Sequence, residues 1–185
     1  MADETMDEMR QHMQKSLKVF EDEMQKLRTG RANPSMIEDL HVDYYGTQTP
    51  LQHIANVTAP DANMLLVRPF DKNAMKEIEK AIVESDLGLN PSADQDVIRV
   101  VIPKLTEERR KELIKHVHDK AEETKVAIRN IRRDLKDKFE KQQKEGEMSE
   151  DDVHRALKEI DDITHEFTEK VDEVMNEKEG QLSHV

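Results

Sequence analysis

Apolar residues recur every third or fourth position over residues 6–27, at Met6, Met9, Met13, Leu17, Phe20, Met24 and Leu27. At about 100° per residue these positions share one face, so the spacing predicts an amphipathic helix, which Gly30 then ends. The rhythm returns at Leu113, Val117, Ala121, Thr124, Ile128, Ile131, Leu135 and Phe139, and again at Val153, Leu157, Ile160, Thr164, Phe167, Val171 and Val174. Three such stripes predict an elongated antiparallel three-helix bundle with axes about 20° apart. Thr106 opens the second helix, with Glu107 and Glu108 where the helix dipole favours anions. Gly146 interrupts it, and Ser149 with Asp152 resembles a capping box in which Asp replaces Glu. Four of the seven seam residues of the first helix are methionine, which also suits a pliable groove, but a bundle core is the simpler reading.

Between the first two helices the period changes. Short β-type runs at Ile37–Tyr45, Leu51–Thr58, Met64–Phe70 and Val97–Ile102 are punctuated by proline and glycine. A helical pattern, Ala74, Ile78, Ala81 and Ile82, lies between the third and fourth runs and is closed by Gly88 and Asn90-Pro91. The prediction is an α+β protein whose bundle, residues 1–30 and 106–185, is interrupted by a second domain over residues 31–105. The chain must then cross twice between the domains, near 29–31 and near 103–105, at Pro103, Lys104 and Leu105.

Composition sharpens this picture. Charged residues reach 38% and aromatics only 3%, the balance of solvent-rich helices rather than a thick core. So much charge also suits disorder, but the regular apolar spacing argues against that. The net charge of −12 is unevenly spread. Residues 106–148 hold thirteen basic and eleven acidic side chains, net +2, while residues 149–185 hold four and twelve, net −8. On the second helix Lys125, Arg129, Arg132, Arg133 and Lys136 fall within an arc of roughly 100° beside the apolar seam. Two readings stay open: these cations pair with the acidic third helix across the seam, or they grip phosphates of RNA.

Enzymatic chemistry finds little support. There is no cysteine, so no disulfide, thiolate site or Cys nucleophile. Neither phosphate-binding glycine motif occurs, and no serine sits in a nucleophile elbow. His116 and His118 are two apart on a helix and diverge, a poor metal pair. Asp151-Asp152 and Asp161-Asp162 read as solvated surface for the same reason. Asn56-Val57-Thr58 fits a glycosylation sequon, but no apolar leader precedes it, so it reads as chance. The expectation is a cytoplasmic non-enzyme with no cofactor, metal or membrane span.

Particular residues carry a resemblance. Thr29-Gly30-Arg31-Ala32-Asn33-Pro34, Tyr45-Gly46 with Thr49-Pro50-Leu51, and Ser85-Asp86-Leu87-Gly88-Leu89-Asn90-Pro91 are similar to the bacterial ribosome recycling factors. Leu105-Thr106-Glu107-Glu108-Arg109-Arg110-Lys111 and Arg129-Asn130-Ile131-Arg132-Arg133-Asp134 continue the match in order along nearly the whole chain. The resemblance implies a three-helix bundle with a hinged βαβ-type domain, L-shaped overall. It implies a monomer that binds the large ribosomal subunit between the A and P sites. With elongation factor G and GTP it would split the post-termination ribosome, with no role for DNA.

The family's ribosomal-RNA contacts map onto Arg110, Arg129, Arg132 and Arg133, foremost Arg132. Arg28, Gly30 and Arg31 are weaker candidates at the hinge side. The chain departs from the family around the second crossing. Val101 and Lys104 stand where prolines are usual, and the loop over residues 92–96 lacks a frequent glycine. Fewer prolines imply a looser hinge. Two other classes compete with this reading: a coiled-coil adaptor using the acidic surface, and a hydrolase built on the insert.

Overall fold

The computed structural model describes residues 2–183; Met1, His184 and Val185, which the expected bundle span includes, lie outside the described residues. The chain divides into two compact units. One takes the chain up to Arg28 and from Glu107 onward, and the other runs from Thr29 to Thr106.

The first unit is three helices: α1 (Ala2–Lys26), α3 (Glu107–Lys144) and α4 (Glu150–Ser183), with α2 (Met75–Glu84) belonging to the insert. Most seam residues are buried, from Met13 and Phe20 on α1 to Ile128 and Phe139 on α3 and Ile160 and Val171 on α4, while Leu27, Thr124, Ile131, Leu157 and Val174 are half-buried. Thr164, the one buried polar side chain among the described residues, donates its hydroxyl to the Ile160 carbonyl at 2.7 Å. Burial without that partner would be costly. The periodicity missed Ala156, Ile163 and Leu182, which widen the α4 stripe to face both neighbours.

The α3–α4 turn explains the antiparallel pairing of those helices. Gly146 adopts φ +76, its N–H donates to the Gln143 carbonyl, and the Glu147 N–H donates to the Gln142 carbonyl. These paired bonds close α3 in the left-handed C-cap geometry that glycine tolerates best. At the start of α4, the Asp152 N–H donates to Ser149 Oγ at 3.2 Å and the hydroxyl donates back to the carboxylate at 2.7 Å. Only half of the expected capping box is therefore formed: the carboxylate accepts from the serine hydroxyl rather than from the Ser149 backbone N–H.

Gly30, by contrast, does not end α1. The helix stops at Lys26, and Gly30 sits beyond it with φ +74.

Glu166 on α4 accepts from Arg10 of α1 at 3.1 Å and from Lys170 at 2.8 Å. The Lys170 hydrogen bond, then that of Arg10, holds its carboxyl below the usual range. A depressed carboxylate contributes stability above its unfolded pKa, about 4.3, and loses it as pH falls through the folded value. The gap in melting temperature between wild type and Glu166→Gln should therefore be largest at neutral pH and shrink as the pH falls through and below the usual carboxylate range. It should stay within the ~0–1 kcal/mol of an exposed pair. A gap unchanged on acidification would show that the cause is packing rather than charge.

The insert holds six strands and α2 (Met75–Glu84). Strands β1 (His41–Tyr44) and β2 (Thr47–Pro50) form a hairpin, while β3 (Ala55–Asp61), β4 (Met64–Pro69), β5 (Asn90–Asp94) and β6 (Val97–Val101) form a sheet ordered β3-β4-β6-β5. All neighbours are antiparallel, so β4 and β5, both antiparallel to β6, run parallel to one another. The path β4-α2-β5 is thus a βαβ crossover with β6 placed inside it.

Alternation on β6 buries Ile98 and Val100 and exposes Arg99 and Val101. With Leu65, Val67, Ile78 and Ile82 they form the insert's core. Two strands were not legible. Thr47–Pro50 and Asn90–Asp94 carry no buried residue, so neither has an apolar face to read. Asn90-Pro91, expected only as a helix stop, opens β5, where an edge position tolerates the missing proline donor.

Candidate nucleic-acid interface

The cation arc lies on the middle turns of α3, and the structure divides it. Lys125 forms an ion pair with Asp172 of α4 and is largely buried. Arg132 places Nε 2.8 Å from Asp161 Oδ1, and Lys136 approaches the same oxygen at 3.8 Å. Three of the five cations therefore bridge the α3–α4 seam. The other two do not. Arg129 is 51% exposed and pairs along its own helix with Glu122 at 2.9 Å. Arg133 is exposed and makes no ion pair with the described residues.

Arg132 joins the two sets. Its Nε lies close to Asp161 without a directed hydrogen bond, so Coulomb attraction rather than N–H alignment holds the pair. Its closest approach to the carboxylate is through Nε, and the side chain is 38% exposed. The carboxylate thus steadies one edge of the guanidinium and leaves the forked edge available. That fork matches a phosphate with two parallel N–H donors. Arg129's exposed pair with Glu122 is worth only ~0–1 kcal/mol, so a phosphate displaces it at little cost.

Asp161 and Asp172 were not singled out as functional from sequence. Their one signal was the excess of acid on the third helix, which says nothing of which acid meets which base.

Arg110 is half-buried in the first turns of α3, nineteen positions before Arg129 and so about 28 Å along the axis. Arg28 and Arg31 are exposed, and Gly30 is buried. Among the described residues no group of three or more His, Cys, Asp or Glu is placed to hold a metal ion. No helix is long and apolar enough to cross a membrane. His118 is engaged across the seam with Glu179 at 2.9 Å.

Comparison with known proteins agrees along the chain. The family model described as "Ribosome recycling factor" matches residues 20–182. A ribosome-recycling factor of Natranaerobius thermophilus is 51% identical over 173 residues, covering 94% of each chain. That of Acidothermus cellulolyticus is 49% identical over 185 residues and covers both chains fully. Among solved structures, a solution structure of the ribosome recycling factor superposes with TM-score 0.76 at 34% identity, covering 100% of this chain and 98% of the other. Another is the T. thermophilus ribosome recycling factor with E. coli elongation factor G bound to the E. coli post-termination complex. It matches with TM-score 0.64 at 52% identity and covers 98% of each chain.

Proposed function

This chain belongs to the ribosome recycling factor family, and we propose that it binds the post-termination ribosome and, with elongation factor G and GTP, splits it into subunits. The mRNA is thereby freed for a new round of translation. The observation that carries this reading is the match to the family over residues 20–182. The solved relative bound with elongation factor G to a post-termination complex supports the choice of partners. The factor is not an enzyme and takes no cofactor; the free energy comes from GTP hydrolysis by elongation factor G. It acts as a monomer in the cytoplasm, on neither DNA nor membrane.

In this reading α3 is the RNA face. Arg132, held by Asp161, presents its fork to a phosphate of the large-subunit RNA, with Arg129 and Arg133 beside it. Arg110 adds a contact nearer the start of α3, and Arg28 and Arg31 add weaker ones. Neutralising several phosphates makes binding steeply salt-dependent. With a net charge of −12, long-range attraction to RNA is weak, so recognition depends on the patch fitting its docking surface. The insert turns about the segments at 29–31 and 103–105, carrying the push from elongation factor G.

The test is sedimentation of post-termination ribosomes with this protein, elongation factor G and GTP, omitting each in turn. Free subunits should appear only when all three are present. Intact ribosomes in the complete mixture, or splitting without elongation factor G, would overturn the reading.

A further inference from the structure

Both connectors between the units, Thr29–Arg31 and Pro103–Leu105, run beside a single tight turn. Strands β3 and β4 are joined through Ala62 and Asn63, since Asp61 pairs with Met64. Both loop carbonyls are taken by the chain segments adjoining the connectors. The Ala32 N–H donates to the Ala62 carbonyl at 2.6 Å, and the Ile102 N–H donates to the Asn63 carbonyl at 2.7 Å. Neither loop residue has positive φ, so this is not one of the primed turns usual in two-residue hairpins. The β3–β4 register also shifts between Thr58 and Asp61, re-aiming the hairpin tip.

The connectors also touch each other. A Cβ on Gly30 would lie 3.2 Å from Leu105 Cγ and 3.3 Å from the Leu105 nitrogen, and Gly30 holds φ +74. The backbone angle favours glycine there, and a side chain would also press on Leu105.

We propose that the Ala62–Asn63 turn is a positioning element: it ties the chain on the insert side of both connectors into one body, so that bending is confined to residues 29–31 and 103–105. The reading rests on the recycling function proposed above and adds how the push is transmitted. Ala32 and Ile102 move with the insert because their amides are bonded to its sheet. The first bonds free to turn are then those on the bundle side of each. Since one hairpin holds both connectors, a rotation of the insert turns them together and does not shear one past the other. The grip is made by backbone carbonyls alone; the Asn63 Nδ2 is buried and bonds to nothing among the described residues.

A turn replacement tests this in the full chain. Ala62→Asn combined with Asn63→Gly imposes a primed turn and rotates both loop carbonyls, leaving the connectors unaltered in sequence. Amide hydrogen exchange at Ala32 and Ile102 should quicken by on the order of 10-fold or more, with Leu65 and Val100 keeping wild-type protection. Asn63→Ala retains the turn and both carbonyls and should leave exchange at the two amides within about twofold.

On ribosomes, the double variant should bind large subunits like wild type but split post-termination ribosomes several-fold more slowly. Unchanged protection in the double variant, or equal losses in Asn63→Ala, overturns the proposal. So does wild-type splitting when the amides are deprotected. If the wild-type protein fails to split ribosomes at all, the recycling function falls while the exchange result still decides the turn's role.

Discussion

Arg132→Glu should leave the helices intact and reduce binding to large ribosomal subunits by on the order of 100-fold. Each charge-assisted hydrogen bond contributes about 1.5–3 kcal/mol, and reversal adds repulsion from the same phosphate. Within the protein the damage is smaller. The introduced carboxylate would face Asp161 across the seam, but Lys136 already lies 3.8 Å from Asp161 and remains to offset the two acids. Circular dichroism at neutral pH should therefore match wild type, and cosedimentation with large subunits should not. Asp161→Asn separates the two roles of the arginine. It removes the intramolecular partner and keeps the fork, so binding should persist within a few-fold. Wild-type cosedimentation by Arg132→Glu would remove α3 from the interface.

The largest stability effect belongs to the bundle core. Phe20 is 1% exposed on α1, the helix whose partners lie on the far side of the insert in sequence. No short loop holds α1 in place; side-chain packing does. Phe20→Ala should cost about 3–5 kcal/mol, the transfer of the ring plus the cavity it leaves. That is a large share of the roughly 5–15 kcal/mol that stabilises a typical domain. Met24 is the next seam residue along α1, and its unbranched side chain can lean into the space, favouring the lower end of the range. The helical melting transition followed by circular dichroism should fall by roughly 10–20 °C. A fall of less than about 3 °C, under 1 kcal/mol for a unit of this size, would show that α1 contributes little to the bundle.

These two residues differ in how readable they were. Phe20 could be placed from spacing, because a helix face repeats locally and most apolar residues in phase with it are buried. Arg132 could be placed on an arc, yet its partner could not. Salt bridges across the seam and an RNA face were competing readings, and the arc has room for both. Lys125 and Lys136 turn to α4, Arg129 and Arg133 turn to solvent, and Arg132 stands between with one edge held. The edge strands β2 and β5 escaped notice because they bury nothing, and a strand without an apolar face has no period to read.

The sequence by itself therefore determined three amphipathic helices, an α+β segment between the first and second, the placement of acid on the last helix, and a family likeness carried by several motifs in register. Each is a local property, legible wherever neighbouring residues obey one repeat. Only the tertiary structure decided that Asp161 steadies Arg132, that α4 buries a wider stripe than its period suggested, and that one hairpin turn bonds to the chain next to both connectors. Those features depend on which residues meet after the chain has travelled through its turns. Pairs far apart in sequence share no repeat that would announce them.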